Sequence, residues 1–124
     1  MQNLVSKKEE EERRLKALAE YRILGTKPES CYDDITKIAA TTCNVPISLM
    51  TLVDKDKQWF KSKIGLQISE TRRDWSFCTH AIKENSPLII HDAFQDERFI
   101  NNPLVTGDPK IRFYAGFPLR NSDG

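Results

Sequence analysis

The sequence predicts an α+β fold: an antiparallel β-sheet with flanking helices, preceded by a long N-terminal helix. Three observations carry this expectation. Residues 3 to 24 contain neither Pro nor Gly and are dense in Lys, Glu, Arg, Leu and Ala, all strong helix formers. Short runs rich in apolar and β-branched residues, at 47–53, 58–64, 87–91 and 112–119, read as strands bounded by turn residues. The two kinds of segment follow in the order helix, helix, two strands, helix, strand, short helix, strand, with no repeat or linker after residue 25, which suits strands and helices sharing one core.

The bulk properties bound the rest. A chain of 124 residues makes one domain, and 39% hydrophobic with 30% charged residues suits a soluble globular chain rather than a disordered one. A formal net charge of +1 supplies no global field toward nucleic acid or an anionic membrane, so neither is an expected partner. No apolar run approaches the roughly 20 residues that span a bilayer. The N-terminal residues lack the apolar core of a signal peptide, so a cytoplasmic setting is expected. Cys31, Cys43 and Cys78 match neither a disulfide framework nor zinc spacing, and are expected as reduced, buried thiols.

Each element has its own signature. In the first helix, Glu9 and Arg13, and Glu10 and Arg14, stand four apart in the favourable order for pairing. Leu15, Leu18 and Ala19 give a short apolar stripe, and the turns before them are polar nearly all round, as in a solvated helix or a weak dimer seam. Gly25 is placed to cap that helix in the left-handed conformation. Thr26-Lys-Pro-Glu29 then reads as a capping box with Pro28 in the first turn. Cys31, Ile35, Ile38, Ala39 and Thr42 form the apolar face of the second helix, which Asn44 and Pro46 stop.

Ile47–Val53 and Gln58–Ile64 flank an Asp54-Lys-Asp56 turn and read as an antiparallel hairpin. Alternation puts Phe60, Ser62 and Ile64 on one face, with Trp59, Lys61 and Lys63 on the other, and Gly65 breaks the strand. Residues 65 to 74 read as a polar loop. Asp74 or Ser76 can cap a short helix to about Asn85, and a brief helical piece is expected near Asp96–Phe99. Phe113, Ala115, Phe117 and Leu119 share a face of the last strand. An Asp123-Gly124 turn signal follows, but no strand returns from it. The expectation is an unpaired last strand, in a chain truncated, processed or completed by another.

Several stretches together are similar to GAF domains of bacterial signalling proteins. They are Leu18-Ala-Glu-Tyr-Arg-Ile-Leu-Gly-Thr-Lys-Pro-Glu29, Tyr32-Asp-Asp-Ile35, Pro46-Ile-Ser-Leu-Met-Thr-Leu-Val-Asp54, Gln58-Trp-Phe-Lys-Ser62, Arg73-Asp-Trp-Ser-Phe-Cys-Thr-His-Ala-Ile82, Asp92-Ala-Phe-Gln-Asp-Glu-Arg-Phe99, Asn102-Pro-Leu-Val105 and Ile111-Arg-Phe-Tyr-Ala-Gly-Phe-Pro-Leu119. The resemblance implies a GAF/PAS-like sheet with a pocket on one face, a linker helix over residues 1–25, and a domain over 26–124 that ends before its last strands and C-terminal helix. It also implies a parent such as a sensor histidine kinase or cyclic-dinucleotide enzyme, including those of cyanobacteria, and dimerisation through the leading helix.

Candidate chemistry centres on the aromatic stretch. Trp75, Phe77, Phe94, Phe99, Phe113 and Tyr114 could line a ligand cavity, with Asp92 or Arg98 fixing orientation; more often, such residues make an ordinary core. Cys78 stands near a predicted helix start, where a thiol can be activated, and some GAF-like enzymes, the free methionine sulfoxide reductases, carry a cysteine at a comparable place. Cys31 and Cys43 do not match the further thiols that reaction needs. His80 stands two residues on and points away from Cys78 on a helix. His80, His91, Asp92 and Cys78 show no metal-ligand spacing, so no metal is expected. Covalent bilin attachment is disfavoured, because Arg98 stands where one bilin-binding subfamily carries its thiol. A non-covalent small ligand remains open, and no cofactor is expected.

The sequence therefore points to a sensory or regulatory domain of signal transduction, two-component signalling included, and not to an enzyme. It binds a small ligand, or dimerises through the N-terminal helix or the open sheet edge. An interaction-only module is the alternative, and a Cys78-based redox enzyme the remote one.

Overall fold

The structure, a computed structural model, describes residues 6–83 and 86–122. The chain divides into two compact units, Met1–Thr71 and Arg72–Gly124. The first holds helix α1 (Lys7–Glu20), helix α2 (Ser30–Cys43) and strands β1 (Ser48–Val53) and β2 (Lys57–Ile64). Strand β3 (Glu70–Arg72) reaches the boundary and completes a sheet of order β1-β2-β3. The second holds a 3-10 turn at Arg73–Trp75, helix α3 (Cys78–Ala81), strand β4 (Leu88–Ile90), a 3-10 turn at Ala93–Gln95, helix α4 (Pro103–Thr106) and strand β5 (Tyr114–Gly116). The fold is α+β, and a helix precedes the domain, as the sequence predicts.

Ser6 starts α1 by accepting the Glu9 amide at 3.1 Å, and Glu9 and Glu10 favour the positive end of the helix. The helix ends at Glu20, short of Gly25, and the predicted start at residue 3 lies outside the described residues. The left-handed residues that turn the chain are Arg22 (φ 50°) and Gly25 (φ 73°). Arg14 does not pair with Glu10. Its fork grips Glu11 at 2.9 and 2.8 Å, which leaves Nη1 free to donate to the Val53 carbonyl at 2.6 Å and tie α1 to the hairpin. The reach to Val53 selects the partner three residues back.

The second helix also departs from expectation. Its cap is Glu29, whose side chain makes no capping bond, and Thr26 is turned back to the Ile23 carbonyl at 2.6 Å. The capping-box reading fails because both side chains are engaged elsewhere. Asn44 ends α2, as read, and does so in the left-handed conformation. The face that packs carries Tyr32, Thr36 and Ala40, whereas Ile35 and Ile38 are 54% and 64% exposed and Cys31 and Cys43 are exposed too. Periodicity marked the apolar stripe, but polar partners on the sheet select the neighbouring one.

Strands β1 and β2 pair antiparallel from Ser48↔Ile64 to Val53↔Gln58. The register jumps between Met50↔Ser62 and Thr51↔Phe60, leaving Lys61 as an extra residue, a β-bulge. Gly65 (φ 87°) is required, because a Cβ there would collide with the Pro46 carbonyl oxygen. Strand β3 falls in the stretch read as a loop, since three residues of mixed polarity carry no alternation. In the second unit, β4 and β5 pair antiparallel, Leu88↔Gly116 to Ile90↔Tyr114, so the last strand has a neighbour. Helix α3 is one turn; the predicted extension to Asn85 and the Asp123-Gly124 turn lie partly or wholly outside the described residues. Helix α4, which the sequence reading missed, is started by Asn102, accepting the Leu104 amide at 2.8 Å, with Pro103 in its first turn.

Candidate functional site

Two clusters of side chains concentrate the chemistry, one in each unit. The first surrounds the bulge. Lys61 points to the chain between α1 and α2, its side chain fully buried, and Nζ donates to Thr26 Oγ1 (2.7 Å), to the Lys27 carbonyl (2.7 Å) and to Glu29 Oε2 (2.6 Å). The ammonium also lies 5.3 Å from the centre of the Tyr32 ring. Burying a cation is costly unless it is paired and hydrogen-bonded, and three acceptors use its three donors. Ser62 reaches the same side: its hydroxyl donates to Asp33 Oδ1 at 2.6 Å and stands 2.7 Å from the buried Thr36 hydroxyl. The bulge lets consecutive residues address α2 and the connector together, which breaks the alternation predicted from the sequence.

Beside this cluster opens a cleft of about 550 Å³, lined by Gly25 and Thr26 of the connector, Asp33 and Lys37 of α2, and Trp59 and Lys63 of β2 among others. Lys63 is committed to the chain as well, donating to the Gln67 and Ile68 carbonyls at 2.8 and 3.0 Å. A second hollow of about 280 Å³ shares Gly25 and Trp59 with it.

The second cluster contains the residues singled out from the sequence. Phe77 and Phe99 are buried and stacked, ring centres 4.2 Å apart and nearly parallel, and Tyr114 packs 5.1 Å from Phe77. With Ile90, Ala93 and Val105 these rings form the core of the unit. Tyr114 donates its hydroxyl to Cys78 Sγ at 3.2 Å, and burial, then the neighbouring thiol, push its pKa well above the ordinary phenol value. Cys78 is half-buried at the first residue of α3, and the other thiols stand on α2.

The remaining candidates lie toward the surface. Trp75 is half-buried beneath the Arg72 guanidinium at 5.6 Å, and its carbonyl accepts from Asn102 at 2.9 Å. Phe94 and Phe113 are exposed; Arg112 covers Phe94 at 4.8 Å, and His91 stands 6.3 Å from Phe113. Asp92 accepts the Phe94 amide at 3.0 Å, capping the 3-10 turn. Arg98 grips Asp96 through two bonds of 3.0 and 2.8 Å, which holds the carboxyl down at about 2 and raises the guanidinium. His80 meets Phe99 edge-on at 4.9 Å, and its basicity is lowered by partial burial, then by Lys83 and Arg98. Phe77, Phe99 and Tyr114 are thus gathered into one core, while Phe94, Phe113, Asp92 and Arg98 stand at the surface.

The family model described as GAF domain matches residues 27–124. The chain belongs to the GAF domain family. It is 37% identical over 116 residues to a cyclic di-GMP phosphodiesterase of Pseudomonas aeruginosa. That match covers 94% of this chain and 20% of the relative, so the chain spans about a fifth of that protein's length. A GAF domain in such a setting has a regulatory part to play in signal transduction. Among the described residues no helix is long and apolar enough to cross a membrane.

Sequence reasoning missed the cluster on the bulge of this GAF domain. The only signal was a lysine between Phe60 and Ser62 in a strand, which reads as a solvent-facing residue until the bulge is known. Thr26 and Glu29 were marked as polar partners, but of the wrong groups.

Proposed function

We propose that this GAF domain is the regulatory part of a larger signalling protein, binding a small ligand and passing the resulting population shift through α1. The observation that carries the reading is the Arg14–Val53 bond. Helix α1 lies outside the residues matched by the family, yet it is fastened at 2.6 Å to the end of β1. A change in the sheet therefore has a direct mechanical connection to the helix. The phosphodiesterase relative supports an output that turns over a cyclic dinucleotide, and the ligand-facing candidates are Trp75, Asp92, Phe94, Arg98 and Phe113, with Phe77, Cys78, Phe99 and Tyr114 behind them. The mechanism is binding chemistry: rings to stack on, and one carboxylate and one guanidinium to orient a polar group.

Thermal unfolding with a panel of cyclic mononucleotides, cyclic dinucleotides and bilins tests this. A ligand selective for the folded state, present at a hundred times its dissociation constant, stabilises by about 2.7 kcal/mol and raises the midpoint. A panel without a single shift at saturating concentration sinks the ligand reading.

A second reading, a dimerising module without a small ligand, is favoured by the exposed Phe117 and Leu119 beyond β5. It places the interface on α1 or on the open sheet edge, in a cytoplasmic homodimer. Sedimentation showing a monomer at high concentration would remove it.

A further inference from the structure

The connector between α1 and α2 has neither helix nor strand, and its conformation has to be held. Two left-handed residues, Arg22 and Gly25, bend it, and its backbone bonds are local: Thr26 to Ile23 at 3.2 Å, then Tyr32 and Asp33 to the Glu29 carbonyl at 3.1 Å each. Across the fold, one side chain meets this stretch at three places, Thr26, Lys27 and Glu29, and that side chain is Lys61.

We propose that Lys61 is a positioning residue that clasps the connector onto the hairpin, so that the orientation of α1 depends on the state of β2. The proposal rests on the regulatory reading above, for it supplies a second fastening besides Arg14. Its two halves differ in character. The lysine half is fully buried on a bulge that the β1–β2 register fixes, whereas the Glu29 side chain is 54% exposed. A buried ammonium without acceptors is unfavourable, so the lysine demands that the connector close over it. The exposed carboxylate can rehydrate, so the clasp opens from the Glu29 side, leaving the connector to follow. Lys63, beside the clasp, does not compete, being occupied by two loop carbonyls. A shift of β2 moves the ammonium, and because three acceptors converge on it, Thr26, Lys27 and Glu29 move together.

Hydrogen exchange on the whole chain tests the clasp without any ligand, and so separates its failure from failure of the ligand reading, which the thermal panel decides. In Lys61→Met the amides of Thr26, Tyr32 and Asp33 exchange about tenfold faster or more, the factor that loss of charge-assisted bonds gives to a local opening. Amides of 93–106 in the other unit keep their rates. Glu29→Gln gives a smaller acceleration at the same amides, and adding Glu29→Gln to Lys61→Met gives no further change, because the interaction is already gone. Unchanged connector exchange in a folded Lys61→Met protein overturns the proposal. Should Lys61→Met fail to fold, Glu29→Gln and Thr26→Val decide: unaltered rates in both overturn it, and selective acceleration in either supports it.

Discussion

The two halves of this GAF domain hold themselves together by different means. Around β2 the contact is made through polar groups, with Ser62 linked to Thr36 and Asp33, and Lys61 to Thr26, Lys27 and Glu29, by bonds of 2.6 to 2.7 Å. Around α3 the contact is made by rings, with Phe77 on Phe99 and Tyr114 beside them. A ring core gains chiefly in proportion to the area withdrawn from water, with a smaller part from ring geometry. A buried polar network gains little net energy but penalises any displacement that leaves a donor unmet. The first unit is thus built to hold a position, the second to stay folded.

That contrast can be broken at its strongest point. Phe99 is 1% exposed, and Phe99→Ala should cost about 3–5 kcal/mol in denaturant unfolding, through lost transfer energy and the cavity left behind. A loss under about 1 kcal/mol, against that scale, would show that the rings do not hold the second unit. Thr36→Val, nearly isosteric and at a buried position, should cost less, about 1–2 kcal/mol, by removing the buried hydroxyl that bonds to Ser62 and to the Tyr32 carbonyl. A neutral or stabilising Thr36→Val would mean that the polar network is dispensable.

The smallest effect is in the pH profile. The lowered basicity of His80 means that the unfolded chain binds more protons below its ordinary value of 6.5, so stability rises with pH across that window and falls as pH drops through it. His80→Gln should flatten the unfolding midpoint between about pH 5.5 and 7. Asp96 acts lower: its contribution is present above the ordinary carboxylate value of 3.8 and is lost as pH falls toward about 2. A wild-type profile flat near 6.5 would show that His80 is no more burdened in the folded state than in the unfolded one.

The same contrast explains what was legible in the sequence. The hairpin, the stop at Asn44 and the break at Gly65 are local signals, and local chemistry predicts them. The aromatic stretch was visible too, although composition could not tell Phe77 and Phe99, in the core, from Phe94 and Phe113, at the surface. The polar clasp was hidden because its cause is not local. Thr26 and Glu29 have the spacing of a capping box, and only a lysine some 35 residues away reassigns them. Likewise Cys31, Ile35 and Ile38 make the more apolar stripe of α2, yet Thr36 turns inward because Ser62 waits for it.

The extra residue in β2 makes the strand a phase shifter. Two consecutive residues thereby serve one side, Lys61 reaching the connector and Ser62 reaching α2. Excising Lys61 alone would leave Ser62 opposite Met50 and delete only the side chain that reaches the connector, so a single inserted residue decides whether this strand has a hold on the segment before α2.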